Sequence, residues 1–325
     1  MPLDPSAGRF LRLLAASAPQ SMRNASAQDR RASLVELMKF GGPPPPIAAA
    51  LDRTVPGPAG PLGVRLYTPI GASAGALPGV RDDLMPGLVY FHGGGLVAGS
   101  MATHESIARM LANEGACRVV SVEYRLAPEH QFPSALDDAV ASVTYLGANA
   151  AQFGIDPARL GICGDSAGGT LAAATCQALA RAGRAPPALQ ILLCPILDYS
   201  RLSASRRELA SGYMIDEEVL AHDLSLYLPA GTDPADCRIS PLRAAVLDGL
   251  PRTIIHTAEF DPLRDEGRDY FERLSHAGCD VSYTCHPGMI HLFYGLGAVI
   301  PYARAALRQI GGQIRASLGG CGGQA

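Results

Sequence analysis

The stretch RLGICGDSAGGTLAAATCQALARA, residues 159–182, falls into three parts: an apolar run ending on glycine, a turn of small residues around Ser166, and an alanine- and leucine-rich helical pattern. A serine at a sharp strand-to-helix turn is forced into strained geometry, and small neighbours let the backbone cross tightly there. The peptide N–H groups after Ser166 open a helix, where the dipole favours a developing negative charge. Ser166 is therefore the candidate nucleophile. A second G-x-S-x-G spans residues 71–75, but Ser73 is followed by ALPGVRDDLMPG, which has no helical period and two prolines. Ser73 reads as a loop residue.

Working outward, the same strand-then-helix alternation repeats. GLVYFH (87–92) precedes the helical pattern HESIARMLANEGA, and CRVVSVEY (117–124) precedes PSALDDAVASVTYLGANA. ALQILLCPIL (188–197) follows the central unit, RTIIHTA (252–258) precedes RDEGRDYFERLSHAG, and DVSYTC (280–285) precedes a last helix around 302–316. Continuous apolar strands separated by amphipathic helices predict an α/β fold with a mostly parallel sheet covered on both faces and right-handed crossovers. LDRTV and GVRLYTP, around the turn PGPAGPLG, predict an antiparallel edge. Two stretches break the alternation, 1–48 and 200–235. They predict a helical cap over one body made of residues 49–199 and 236–325. Active sites of such sheets lie at the carboxyl ends of the strands.

Composition narrows the chemistry. With 325 residues, 48% hydrophobic and 18% charged, the chain can bury a large core and is not disordered. Lys39 is the sole lysine and lies alone in SLVELMKF, which removes a Schiff-base lysine, a Ser–Lys dyad and a phosphate-loop lysine. A net charge of −3 argues against a nucleic-acid partner. No apolar stretch is long enough to span a membrane. RFLRLLAASA near the start is interrupted by Arg12 and preceded by Asp4, so it reads as a surface or lid helix and not a signal segment. The eight cysteines contain no CxxC pair and no zinc spacing, which predicts reduced thiols in a cytoplasmic protein and no metal site. Cys163 and Cys194 sit in apolar runs and read as small core hydrophobes.

The strand GLVYFH ends in His92-Gly93-Gly94-Gly95. Three consecutive glycines let backbone N–H groups approach a ligand closely. Gly93 and Gly94, with the Ala167 N–H, form the candidate oxyanion hole. His92 precedes the nucleophile, whereas this strand order places the base last, so His92 is read as bracing the loop.

HGGG, EYRLAPEHQFP (123–133), GDSAGG (164–169), DPLRDEG (261–267) and GMIHLF (288–293) occur in that order. In these motifs the chain resembles the hormone-sensitive-lipase-like family of α/β-hydrolase carboxylesterases, and GDSAG marks one subgroup of it. The resemblance implies the α/β-hydrolase fold, a Ser–Asp–His triad, a cap over the pocket, no cofactor, a small-molecule ester as substrate, and homodimers through the last strand and helix.

Among the acids, Asp261 ends the strand RTIIHTAEF and matches the family's DPL motif. Glu259 is still within the strand, while Asp265 and Glu266 fall in the next helix's first turn and complement its dipole. Among the histidines, His291 lies in the longer loop after the last strand and fits the family's G-x-x-H-x-F, whereas His286 abuts that strand. His256 reads as core; His104, His130, His222 and His276 read as surface or helix-cap residues. Asp165 is read as bracing neighbouring loops, with Glu123 and Arg125 in a polar network that includes it. Leu96, Val97, Met214, Ile215, Ile290, Leu292 and Phe293 are the candidate pocket wall, apolar throughout, which predicts small to medium acyl esters. Amide hydrolysis by the same machinery and a non-catalytic ligand-binding relative are the alternatives; His291 argues against the second.

Overall fold

The computed structural model describes residues 1–17, 25–72 and 84–319; Ser73 and Cys321 lie outside these. Among the described residues an eight-stranded sheet runs in the order β1-β2-β4-β3-β5-β6-β7-β8. β1 (Ala49–Gly57) and β2 (Gly60–Thr68) form the expected antiparallel edge, with Val55 opposite Leu62. β2 also pairs antiparallel with β4 (Arg118–Val122). β3 (Met85–Phe91), β4, β5 (Ile155–Asp165), β6 (Leu189–Leu193), β7 (Arg252–Phe260) and β8 (Val281–Ile290) are parallel. β6 is shorter than its apolar run predicts. Cys194 already has φ 43° and Pro195 follows, so the chain leaves the ladder there.

The helices of the body are α3 (Glu105–Gly115), α4 (Ser134–Ala148), α5 (Ala167–Arg181), α8 (Arg264–His276) and α9 (Tyr302–Leu318). Their apolar faces bury the sheet on both sides, giving two core clusters that contain Val89, Ile162 and Leu192 on one face and Leu88, Cys163 and Ile191 on the other. Alternate residues of one strand thus serve opposite cores, as the strand period requires. No helix among the described residues is long and apolar enough to cross a membrane.

β8 departs from expectation. It continues through His286, Pro287 and Gly288 as far as Ile290, so no long loop precedes His291. Ala258 pairs with His286 but Phe260 pairs with Ile290, so β8 carries two residues more than β7 across this step. The surplus is accommodated at Gly288, which has φ 72° and whose N–H donates to Glu259 Oε2 at 2.7 Å. It brings His291 level with Asp261.

His256 and His286 sit inside the sheet, fully buried, with His256 Nδ1 3.0 Å from His286 Nε2. Burial holds the His256 pKa down to about 4. Burial, with His256 beside it, holds His286 at about 3. Both protonate near pH 6.5 when unfolded. Between those values the unfolded chain binds more protons, so this contribution to stability is present above pH 6.5 and is lost as pH falls towards 4. Glu266, pushed up to about 7 by burial, opposes the trend, so variants are the proper comparison. His286→Asn is expected to lower the melting temperature at neutral pH yet flatten its fall between pH 6.5 and 4.5. Parallel melting curves for the two proteins would refute this.

Candidate active site

Ser166 stands between β5 and α5 with φ 52° and ψ −120°, the strained turn the sequence predicts. A Cβ at Gly164 or Gly168 would collide with backbone oxygens of the crossing chain, which is why both positions are glycine. Asp261 follows β7 directly, and its Oδ1 accepts the Leu263 N–H at 2.8 Å. His291 follows β8. Its Nδ1 lies 2.8 Å from Asp261 Oδ2 and its Nε2 lies 3.1 Å from Ser166 Oγ. The three residues expected from sequence are therefore in one hydrogen-bonded line. Burial alone would lower the His291 pKa. The charge and hydrogen bond of Asp261, with the Asp165 charge behind them, outweigh that and raise it above 6.5.

The glycine loop differs from the expected oxyanion arrangement at Gly93. Its N–H donates to Asp165 Oδ1 at 3.1 Å and so is already engaged. The N–H groups of Gly94 and Gly95 have no partner among the described residues, and Ala167 opens α5 with the free N–H of a helix start.

Asp165 braces this loop, but not through Glu123 and Arg125. It accepts from the Tyr90 hydroxyl at 2.5 Å, and its Oδ2 lies 3.4 Å from His104 Nε2. Burial would raise its pKa; His104 and the Tyr90 hydroxyl outweigh that and hold it low. Arg125 instead forks onto Asp138, and Glu123 accepts the Met101 N–H. His104 holds the N-cap position of α3, as a helix-cap residue should, but it is buried and its side chain faces Asp165 instead of capping the helix. His92 braces the loop as expected. Its Nδ1 lies 2.8 Å from Gly93 O, its ring stacks on Tyr124 at 4.3 Å, and burial together with nearby His104 holds its pKa at about 3. His130 and His276 are exposed, and His222 is half-buried with Nε2 2.9 Å from Ala25 O.

Two helices of the N-terminal stretch, α1 (Pro5–Ser17) and α2 (Ala27–Met38), and two of residues 200–235, α6 (Ala204–Glu208) and α7 (Glu217–Tyr227), lie outside the sheet. Asp265 and Glu266 do more than complement a dipole. Asp265 accepts the Ser205 N–H from α6, and Glu266 accepts the N–H groups of Leu197 and Asp198. Leu292, Met214, Leu34 and Ala98 meet in a small apolar cluster beside His291. Ile215 packs half-buried on the main core. Leu96, Val97, Ile290 and Phe293, expected in the pocket wall, are fully buried in the core, and the Phe293 ring packs against His286, Tyr294 and Tyr302. Cys194 is buried in the core as expected but lies just past β6, with its Sγ within 4.8 Å of side-chain polar atoms of both Asp261 and His291. Among the described residues, Ser166, Leu96, Cys194, Met214 and Leu292 account for five of the six non-glycine residues with positive φ, so backbone strain gathers around this site. A cavity of about 510 Å³ lies elsewhere, beside α6 and α8. Its buried acids Asp198, Asp265 and Glu266 are each paired with arginine, and no triad residue lines it.

The profile of a family described by the alpha/beta hydrolase fold matches residues 88–295, from β3 through the residues after His291. The chain belongs to the α/β-hydrolase family. The hydrolase is similar to Carboxylesterase NlhH of Mycobacterium tuberculosis, 40% identical over 247 residues, covering 75% of this chain and 74% of that protein. It is also similar to Ethyl acetate hydrolase of Pseudomonas putida, 36% identical over 247 residues and 76% of each. Among solved structures, an alpha/beta hydrolase enzyme from the metagenome of Lake Arreo, Spain, superposes with a TM-score of 0.92 at 39% identity, covering 98% of this chain and 99% of that one. The hydrolase is a carboxylic ester hydrolase, in the hormone-sensitive-lipase-like branch that its motifs resemble.

Proposed function

We propose that the enzyme cleaves carboxylic esters of small to medium acyl chain through an acyl-enzyme on Ser166. The observation carrying this is the unbroken line Ser166 Oγ, His291 Nε2, His291 Nδ1, Asp261 Oδ2, with spacings of 3.1 and 2.8 Å. His291 takes the hydroxyl proton as Ser166 Oγ attacks the ester carbonyl, while Asp261 holds the imidazole tautomer and stabilises the imidazolium. The N–H groups of Gly94, Gly95 and Ala167 hold the oxyanion; each such donor is worth about 3–4 kcal/mol. His291 returns the proton to the departing alcohol. A water then repeats the cycle on the acyl-enzyme with His291 as base.

Residues 1–48 and 200–235 act as the cap in this reading. Two contacts support it: the Arg30–Asp223 ion pair and the His222–Ala25 hydrogen bond join the two stretches. Leu34 of α2 closes on Leu292 and Met214, an apolar wall in which the described residues show no cluster suited to sugar or phosphate. The similarity to Ethyl acetate hydrolase of Pseudomonas putida points the same way. A p-nitrophenyl ester series from acetyl to palmitoyl tests the reading: kcat/KM is expected to peak at or below octanoyl, and the matched p-nitroanilides to be at least a hundredfold slower. A peak at lauroyl or longer would overturn the chain-length assignment.

A further inference from the structure

The ion pair between Arg30 and Asp223 lies against the oxyanion loop. Arg30 Nε meets Asp223 Oδ1 at 2.9 Å and Nη2 meets Oδ2 at 2.6 Å, a two-pronged contact with side chains only 14% and 4% exposed. The same carboxylate covers Gly95 so closely that a Cβ there would collide with Oδ2. The third glycine of the loop is thus matched to an acid delivered by α7, which is in turn held by an arginine delivered by α2.

A bare carboxylate here would be adverse. The oxyanion forms beside this loop, and like charges repel most strongly where water is excluded. Burial already pushes the Asp223 carboxyl up, and Arg30 pulls it back towards the charged form. Docking of α2 does not depend on that arginine, because Arg31 separately donates to Val97 O at 2.9 Å and to Ala127 O at 3.0 Å.

We propose that Asp223 and Arg30 are positioning residues for catalysis: Asp223 seats Gly95, and Arg30 cancels the charge of that seat so that the oxyanion can form next to it. This rests on the assignment of Gly94 and Gly95 as oxyanion donors. Neither side chain touches the ester, so the effect belongs in kcat and not in KM.

The test compares Arg30→Gln, Asp223→Asn and the double variant in the full chain. It measures kcat and KM for p-nitrophenyl butyrate, and Ki for a trifluoromethyl ketone that forms a tetrahedral adduct. Arg30→Gln leaves the carboxylate unpaired and is expected to lower kcat by roughly 10–100-fold, with KM within about threefold. The ketone should weaken in proportion to kcat/KM. The double variant removes both charges and keeps the shape of the seat, so kcat should return to within about fivefold of the unaltered enzyme. A double variant as slow as Arg30→Gln, a loss confined to KM, or a ketone Ki that does not move would overturn the proposal. Arg30→Lys keeps the charge and serves if the glutamine variant does not fold. Its kcat should stay within about fivefold, and a larger loss would count against neutralisation. Activity surviving Ser166→Ala would instead overturn the underlying mechanism.

Discussion

Ser166→Ala is expected to reduce kcat/KM for an activated ester by roughly five to six orders of magnitude. Alanine keeps the backbone turn and the helix start, so the oxyanion donors and the apolar wall remain. Those features alone support a residual rate of about 10³–10⁴ over water. What disappears is the covalent step: no other hydroxyl is hydrogen-bonded to His291 among the described residues. Steady-state assays on protein whose melting temperature matches the unaltered enzyme check this, with Ser73→Ala as the control in the other G-x-S-x-G. More than a trace of activity in Ser166→Ala, or a large loss in Ser73→Ala, would place the nucleophile elsewhere.

Asp261→Asn is expected to cost about four orders of magnitude in kcat, because an amide facing His291 Nδ1 favours the tautomer that cannot accept the Ser166 proton. The variant also carries a signature in pH. His291 acts as base only when neutral, so kcat/KM rises with pH, and its midpoint in the free enzyme lies above 6.5 because the Asp261 carboxylate stabilises the imidazolium. Without that charge the burial penalty stands unopposed except by Asp165. The rising limb should therefore move to lower pH even as the plateau collapses. A plateau that falls with no acid shift of the limb would mean that something other than Asp261 sets the His291 pKa.

The parts of this enzyme written in contiguous sequence were legible in advance. The elbow at Ser166 follows from a strand, small residues and a helix in succession. The order Ser166, Asp261, His291 follows from three strand ends of one sheet. What could not be read is whatever depends on pairing across the fold. Gly93 looks like its neighbouring glycines until Asp165, 72 positions away, takes its N–H. His104 opens a helix and resembles a cap residue, and only the fold turns it towards Asp165. Cys194 belongs to an apolar run, but a positive φ followed by proline ejects it from the strand and places it beside Asp261 and His291. Leu96 and Phe293 follow site motifs in sequence yet are directed into the core. Motif neighbours share a chain segment without sharing a direction.

The two surplus residues of β8 beside Gly288 have a consequence in parity. Side chains of a strand alternate between faces, so an even surplus advances the chain and preserves which face each later residue presents. Phe260 meets Ile290 in phase, and the next step sets Asp261 against His291. A deletion of both residues would leave the orientation of His291 intact but draw it back by roughly 6–7 Å along the strand. A deletion of one would draw it back by about half as far and would have to be absorbed at the turn of Gly288 for the imidazole to keep its face. The register beside Gly288 thus sets how far along the strand His291 reaches towards Asp261, and a change of length there is felt first in that contact.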